Sequence, residues 1–213
     1  MSAAAPIVDD AAARDWLTAA LAPTPAQWAA LELYADMLRI ANAQQNLVAA
    51  STIDSLWARH IADSAQLLCL DARGGDGLWL DLGSGAGLPG LVAGILTERP
   101  VLLVESRALR CQFLEKVIAA AGLGARVRVA ALPLERVETR AAATISARAF
   151  APLDKLINLS SRFSTVSTRW LLPKGRNAVN ELALLPAPWQ KLFHVEQSLT
   201  NADSGILVGV GNG

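Results

Sequence analysis

Leu78-Trp79-Leu80-Asp81-Leu82-Gly83-Ser84-Gly85-Ala86-Gly87-Leu88-Pro89-Gly90 decides how this chain is read. An apolar run, Leu78 to Leu82, ends in glycines at alternate positions, and a helical pattern follows from about Pro89 to Thr97. Short apolar runs bounded by turn residues read as buried strands. Glycines directly after a strand let the backbone turn sharply and let a ligand come close to it. The stretch therefore predicts a strand, a tight turn and a helix.

The alternation continues downstream. Val101 to Val104 reads as a second strand, and Ala108 to Ala121 as a helix closed by Gly122. Arg126 to Ala130 reads as a third strand and Ala143 to Ala147 as a fourth, followed by a helix from about Pro152 to Phe163. Trp170 to Leu172 predicts a fifth strand and Glu181 to Leu185 a short helix; Lys191 to Gln197 and Gly205 to Val210 predict a late antiparallel pair. Strands alternating with helices imply an α/β fold, a mostly parallel sheet covered on both faces. Such sheets bind ligands beyond the carboxyl ends of their strands, near the switch point of the strand order.

Upstream the chain reads as helical. Thr24-Pro25 is a helix start, threonine as cap and proline at the first position, with Trp28, Leu31, Tyr34 or Ala35, and Leu38 at helical spacing. A second helix is expected from near Ser51, its stripe carrying Ile53, Leu56, Trp57, His60, Ile61, Ser64, Leu67 and Leu68. Asp71-Ala72-Arg73-Gly74-Gly75-Asp76-Gly77 is rich in turn residues and marks a boundary. The chain divides there into an N-terminal helical extension, residues 1–75, packed on a sheet domain, residues 76–213.

The 213 residues suffice for one domain with an appendage, and an apolar share of 53% excludes a disordered chain. No apolar run approaches the roughly 20 residues that span a bilayer. Met1 to Asp10 lacks a basic region and ends in two aspartates, unlike a secretory signal. Cys69 and Cys111 lie in apolar helical stretches and are expected to be buried free thiols. These features predict a cytoplasmic protein. The net charge is zero but unevenly spread: residues 1–75 carry four basic and eight acidic side chains, whereas Arg99 to Arg176 carry fourteen basic and five acidic, a net of +9. That asymmetry suggests an anionic partner on one side of the molecule.

The glycine turn admits three chemistries. A phosphate-binding P-loop is excluded, because no Gly-Lys-Ser/Thr follows. Gly85-Ala86-Gly87-Leu88-Pro89-Gly90 satisfies the dinucleotide spacing. The third chemistry is methyl transfer, marked by an acid two residues ahead of the first glycine, Asp81, and glycines alternating at 83, 85 and 87. The spacing favours it. An acid at the strand end can hold backbone donors of the loop or reach the amine of an amino-acid-like cofactor, whereas a dinucleotide wants an open helix N-terminus. Glu105, closing the second strand, can accept ribose hydroxyls of an adenosine in either case.

Several ordered blocks then narrow the reading: Asn46-Leu47-Val48; His60-Ile61-Ala62-Asp63-Ser64; Leu80 to Gly90; Val104-Glu105-Ser106-Arg107; Arg110-Cys111-Gln112-Phe113-Leu114; Ser146-Ala147-Arg148-Ala149-Phe150-Ala151-Pro152-Leu153; and Lys174-Gly175. With these blocks the chain, from about Trp28 to Val210, resembles the bacterial 16S rRNA (guanine-527-N7) methyltransferases, once called glucose-inhibited division protein B. The resemblance implies a Rossmann-like methyltransferase domain behind a helical extension. It also implies S-adenosyl-L-methionine as methyl donor and one guanine of 16S rRNA, in the small ribosomal subunit, as target. Carried over by position, Gly83 and Leu88 line the cofactor pocket, beside Asp81, Gly85 and Glu105 of the motif; Leu134 and Glu135 sit beside the adenine, and Arg148 faces the reaction site, where it is expected to meet both cofactor and target. The chain departs from the family at Pro133, and its last residues, Gly205 to Gly213, carry no basic side chain where many relatives end in a basic strand.

His60 and Asp63, one turn apart, form either a core pair or part of the pocket mouth. Arg148 sits where a strand ends, and Lys174 and Arg176 suit phosphate contacts. No Cys/His cluster accompanies His60 or His194, so no metal is expected. Trp28, Trp57, Trp79, Trp170 and Trp189 lie in apolar patterns and are expected in the core. Guanine N7 has a lone pair and no hydrogen, so no general base is assigned. A monomer is expected.

Overall fold

The computed structural model describes residues 6–71 and 75–213. Seven strands, β1 (Trp79–Leu82), β2 (Val101–Val104), β3 (Val127–Ala130), β4 (Thr144–Ala147), β5 (Arg169–Gly175), β6 (Phe193–Gln197) and β7 (Gly205–Val210), form one sheet in the order β3-β2-β1-β4-β5-β7-β6. β1 to β5 are parallel, and β7 runs antiparallel to both β5 and β6. The expected late antiparallel pair is present, and β5 extends beyond Leu172 to Gly175 because β7 pairs with it over that length.

Every residue of β1 is buried, as a central strand covered on both faces requires. Trp79 belongs to the core on one face, with Leu103, Val127 and Leu171; Leu80 and Leu82 belong to the other, with Ile145, Trp170 and Leu207. The helices α4 (Gly90–Leu96) and α5 (Ala108–Ala120) contribute to the first face, α6 (Leu153–Ser160) and α7 (Ala178–Ala183) to the second. A single turn, α8 (Ala187–Gln190), puts Trp189 edge-on against Trp170.

The N-terminal helices join the first core. α2 (Pro25–Gln45) starts at Thr24, whose hydroxyl accepts from the Gln27 amide while the Gln27 side chain accepts from the Thr24 amide. This reciprocal cap is worth about 1 kcal/mol over alanine. Leu31, Tyr34 and Leu38 are fully buried in the same cluster as Leu91, Phe113 and Leu114. A further helix, α1 (Asp10–Leu21), capped by Asp9, was not anticipated; its alanines blur the apolar stripe that Ala13 and Leu17 bury.

The expected continuous helix from Ser51 is also different. A 3₁₀ segment, Ala50–Ser55, leads into a π-helical stretch, Trp57–Ala62, and only then into α3 (Asp63–Leu70). Cys69 is exposed on the outer side of α3, away from Leu67, whereas Cys111 is buried; both are free thiols. The boundary turn at residues 71–77 includes residues 72–74, which lie outside the described residues. Among the described residues, no helix is long and apolar enough to cross a membrane.

Candidate active site

β1 has β2 on one side and β4 on the other, so chain connections leave it in opposite directions. The loops beyond β1 and β4 therefore diverge and leave a crevice at their carboxyl ends. Gly83 follows β1 and Arg148 follows β4, in register across the crevice, since Leu82 pairs with Ala147.

Gly83 and Gly85 both have positive φ, +64° and +56°, conformations costly for residues with a Cβ. Their surroundings differ. A Cβ on Gly83 would collide with the Phe150 ring, whereas one on Gly85 would meet nothing nearer than 3.7 Å. Backbone is thus bare over Gly85 and covered by an aromatic ring over Gly83.

Asp81 is fully buried and lines neither of the two cavities at the crevice. Its Oδ1 accepts from the Ser146 hydroxyl (2.6 Å), and Ser146 Oγ in turn accepts from the Trp79 indole (2.8 Å). Its side chain packs on Gly90 at the start of α4. Burial raises its carboxyl to about 6, with the Ser146 bond opposing. Of its two anticipated roles, holding the loop is the one its position supports. Leu88 likewise packs in the core and lines neither of these cavities.

Glu105 ties two loops together. Its Oε1 accepts from the amides of Ser106 and Arg107, at the start of α5, and its Oε2 accepts from the Gly85 amide (3.0 Å). A carboxylate offers about four acceptor positions, so three backbone amides leave acceptor capacity on Oε2 alone. Glu105 lines a cavity of about 230 Å³ together with Gly83, Arg107, Arg110, Leu134 and Phe150. A carboxylate with one acceptor position not taken by an amide, the Arg110 guanidinium 3.8 Å from it and the apolar Leu134 wall suit a nucleoside, while Gly85 stands behind Glu105 and is not part of the lining. Glu135 points elsewhere and is exposed.

A larger cavity of about 730 Å³ lies across Ala149 and Phe150, which line both. It gathers His60, Asp63, Arg148 and Lys174. Arg148 donates to Asp63 Oδ2 and to His60 Nδ1, each at 3.1 Å. Asp63 Oδ1 accepts from the Thr200 hydroxyl (2.6 Å) and from Gln66. His60 is 6% exposed, and burial first, then Arg148 and Arg59, lower its ring to about 3. It is both a buried histidine and a cavity wall.

Lys174 lines this cavity, but its Nζ is taken up by Glu181 (2.9 Å) and the Ala151 carbonyl (2.8 Å), and its side chain is only 9% exposed. Glu181 also accepts from the Leu153 amide at the start of α6. The pair therefore clamps the loop after β4. Arg176 lies outside both cavities, exposed and paired with Asp203 (2.7 Å).

The basic excess between Arg99 and Arg176 is not one-sided. Arg99 is buried, bound to Asp71 and Thr144, and Arg126, Arg140 and Arg169 precede or open their strands at the far end of the sheet. The cations near the crevice are Arg59, Arg107, Arg110, Arg148 and Lys174, and Arg59 comes from the acidic N-terminal third.

Thr52, Tyr34, Thr200 and Glu181 were missed by sequence reasoning. Tyr34 donates to the Ala86 carbonyl across 52 positions, and Thr200 reaches Asp63 from the β6–β7 loop across 137. Neither residue carries a local signal. Phe150 belongs to the Ser146–Leu153 block, but nothing in the sequence marks its ring as a wall shared by two cavities.

A sequence model of the family described as rRNA small subunit methyltransferase G matches residues 27–206. A ribosomal RNA small subunit methyltransferase G of Sphingopyxis alaskensis is 69% identical over 99% of this chain and 90% of its own length. One of Novosphingobium aromaticivorans is 50% identical over 95% and 89%. Among solved structures, a putative methyltransferase, yhhF, from Escherichia coli shares the fold at a TM-score of 0.55, with 17% identity over 71% of this chain and 86% of that one. An RNA methyltransferase from Salinibacter ruber, in complex with S-adenosyl-L-homocysteine, does so at 0.52, with 16% identity over 70% and 88%.

Proposed function

The chain belongs to the rRNA small subunit methyltransferase G family, an S-adenosylmethionine-dependent rRNA methyltransferase family, and from that premise we propose that it methylates N7 of one guanine, position 527, of 16S rRNA presented by the small ribosomal subunit. The observation that carries the reading is the pair of cavities meeting at Ala149–Phe150, one suited to a nucleoside and the other roomy and ringed by Arg59, His60, Asp63 and Arg148. S-adenosyl-L-methionine, when bound, supplies an electrophilic methyl group.

The protein's own contribution is placement. Gly83, Glu105 and Leu134 form the wall for the adenosine part, Gly85 holds Glu105 through its amide, and the glycine loop is tied down by Tyr34 at the Ala86 carbonyl and by the Ser84 hydroxyl at the Asp81 carbonyl. Arg148, with two partners fixing its guanidinium, meets the reacting end. Guanine N7 needs no deprotonation, so alignment and exclusion of water are what the site has to provide. The target base must be unpaired or extruded to enter the large cavity. Arg107 at the crevice and Arg176, exposed outside both cavities, are the side chains proposed to meet phosphate. Lys174 is assigned to the loop instead. The proposal includes a monomer working in the cytoplasm.

The test is to map methylated guanines in 16S rRNA from cells with and without this protein, and to repeat methylation in vitro on purified small subunits and on free 16S rRNA. Loss of N7 methylation at position 527 alone, restored on the subunit, is the expected result. An unchanged methylation map overturns the proposal.

A further inference from the structure

His60 sits in the π-helical stretch before α3, a departure from regular helix that recurs at functional sites. Its two ring nitrogens have partners that permit one proton arrangement. Thr52 Oγ1 lies 2.6 Å from the Ala49 carbonyl, which can only accept, so the hydroxyl hydrogen points there. Thr52 Oγ1 then offers only lone pairs to His60 Nε2 at 2.7 Å, and Nε2 must carry the ring hydrogen. That leaves Nδ1 with its lone pair, facing Arg148 Nη2 at 3.1 Å, a group that can only donate. The hydrogen bonds run in one direction, from Arg148 through His60 and Thr52 to Ala49. A doubly protonated ring would set N–H against N–H and charge against charge.

The other terminal nitrogen of Arg148, Nη1, is held by Asp63 Oδ2 and lies 3.5 Å from the Arg59 carbonyl. Asp63 is itself fixed by Thr200 and Gln66. These contacts engage three of the five guanidinium N–H donors and leave two for a ligand in the large cavity. The charged groups facing His60 are Arg59 and Arg148, with Asp63 on the far side of Arg148.

We infer that His60 is a positioning residue: as a neutral ring protonated at Nε2, it accepts from Arg148 and, with Asp63, fixes the plane of the guanidinium in the reaction cavity. The inference rests on the proposed role of Arg148 at the reacting end. Burial that pushes the ring down to about 3 agrees with it, because a ring that stays neutral keeps its acceptor at every working pH. Small misplacements of a positioned group reduce turnover by up to about 10²-fold.

The chain has only two histidines, so His194→Gln, an exposed residue away from both cavities, isolates the ring of His60 for ¹⁵N NMR. The expected spectrum shows an unprotonated Nδ1 and a protonated Nε2, unchanged from pH 5 to 8. Methylation of small subunits and binding of S-adenosyl-L-homocysteine are then measured for His60→Asn, His60→Gln, His60→Ala, Arg148→Ala and the His60→Ala/Arg148→Ala double variant. Asparagine places an acceptor near Nδ1 and glutamine does not. His60→Asn should stay within about threefold of wild type, while His60→Gln and His60→Ala lose about 10- to 100-fold in kcat. The double variant should be no worse than Arg148→Ala alone. If Arg148→Ala is impaired but His60→Ala is not, or if their losses multiply, His60 does not act through Arg148. If Arg148→Ala keeps full turnover, the assignment of the reacting end has failed instead. A ring protonated at Nδ1, or titrating near its ordinary value, overturns the inference without reference to activity.

Discussion

The Phe150 ring lies over the α-carbon of Gly83, and this contact separates the nucleoside-sized cavity from the larger one. Ala149, just before it, holds a positive φ of 52°, unusual for a residue with a Cβ, and the Lys174–Glu181 pair secures the loop from behind.

Gly83→Ala should therefore be felt by Phe150. The added methyl both strains a left-handed backbone and displaces the ring, so the variant should lose about 1–3 kcal/mol of stability and at least tenfold in affinity for S-adenosyl-L-methionine. Adding Phe150→Ala should recover part of the stability loss. Thermal unfolding and calorimetry on the single and double variants decide it; additive losses would show that the ring is not what the methyl meets.

Gly85→Val should act differently, because a Cβ there meets only ordinary contacts, 3.7 Å from Arg110 and 3.8 Å from the Gly83 carbonyl. The fold persists with the strain of a branched residue at positive φ, but binding of S-adenosyl-L-methionine is abolished. Retained binding by calorimetry would move the cofactor off this loop.

Lys174 and Arg176, neighbours in sequence, should behave as opposites. Lys174→Met breaks a mostly buried pair and frees the Ala151 carbonyl; a loss of about 1–3 kcal/mol in stability and a fall in kcat are expected, with an unchanged salt dependence of RNA binding. Arg176→Ala should leave stability within about 0.5 kcal/mol, because its pair with Asp203 is exposed, and reduce the slope of log affinity against log salt by up to about one. Denaturant unfolding and binding titrations at several salt concentrations separate the two.

Two groups make opposite contributions to stability against pH. His60 falls to about 3 from 6.5 on folding, so its contribution is fully present above pH 6.5 and is lost as pH drops towards 3. Asp81 rises from 3.8 to about 6, so its contribution is present below pH 3.8 and is lost as pH rises through 6. Either alone changes stability by at most about 1.4 kcal/mol per pH unit. His60→Asn should flatten the decline between pH 6.5 and 4, and Asp81→Asn should remove the loss between pH 4 and 6. Urea unfolding across that range checks both signs.

Turnover should show no such dependence at higher pH. With His60 low, Asp81 near 6 and the Tyr34 phenol pushed up by burial, no shifted group of the site titrates between about pH 7 and 9. Single-turnover rates at saturating cofactor should be flat there, as expected if N7 attacks without a base. A log-linear rise that disappears on replacing one side chain would identify the base that the proposed mechanism omits.

The alternation of short apolar runs with helical stretches was enough, by itself, to determine the parallel sheet, the glycine turn after β1 and the late antiparallel pair. These are local patterns, set by periodicity of two or 3.6 residues and by the special freedom of glycine. The quoted blocks around His60, Gly83 and Arg148 also pointed to the right family, because those blocks keep their order along the chain. What the residues do to one another was decided only by the tertiary structure. Lys174 reads as a free cation until folding brings Glu181 and Ala151 to it, and the +9 segment reads as one surface until the strands send its arginines to opposite ends of the sheet. Asp81 reads as a ligand until folding buries it fully and sets Ser146 on its Oδ1, and Thr200 has no signal until the β6–β7 loop delivers it to Asp63. Hydrogen bonds and ion pairs act over about 3 Å, whereas their partners here lie from 7 to 137 residues apart. Periodicity along a chain holds no record of such meetings.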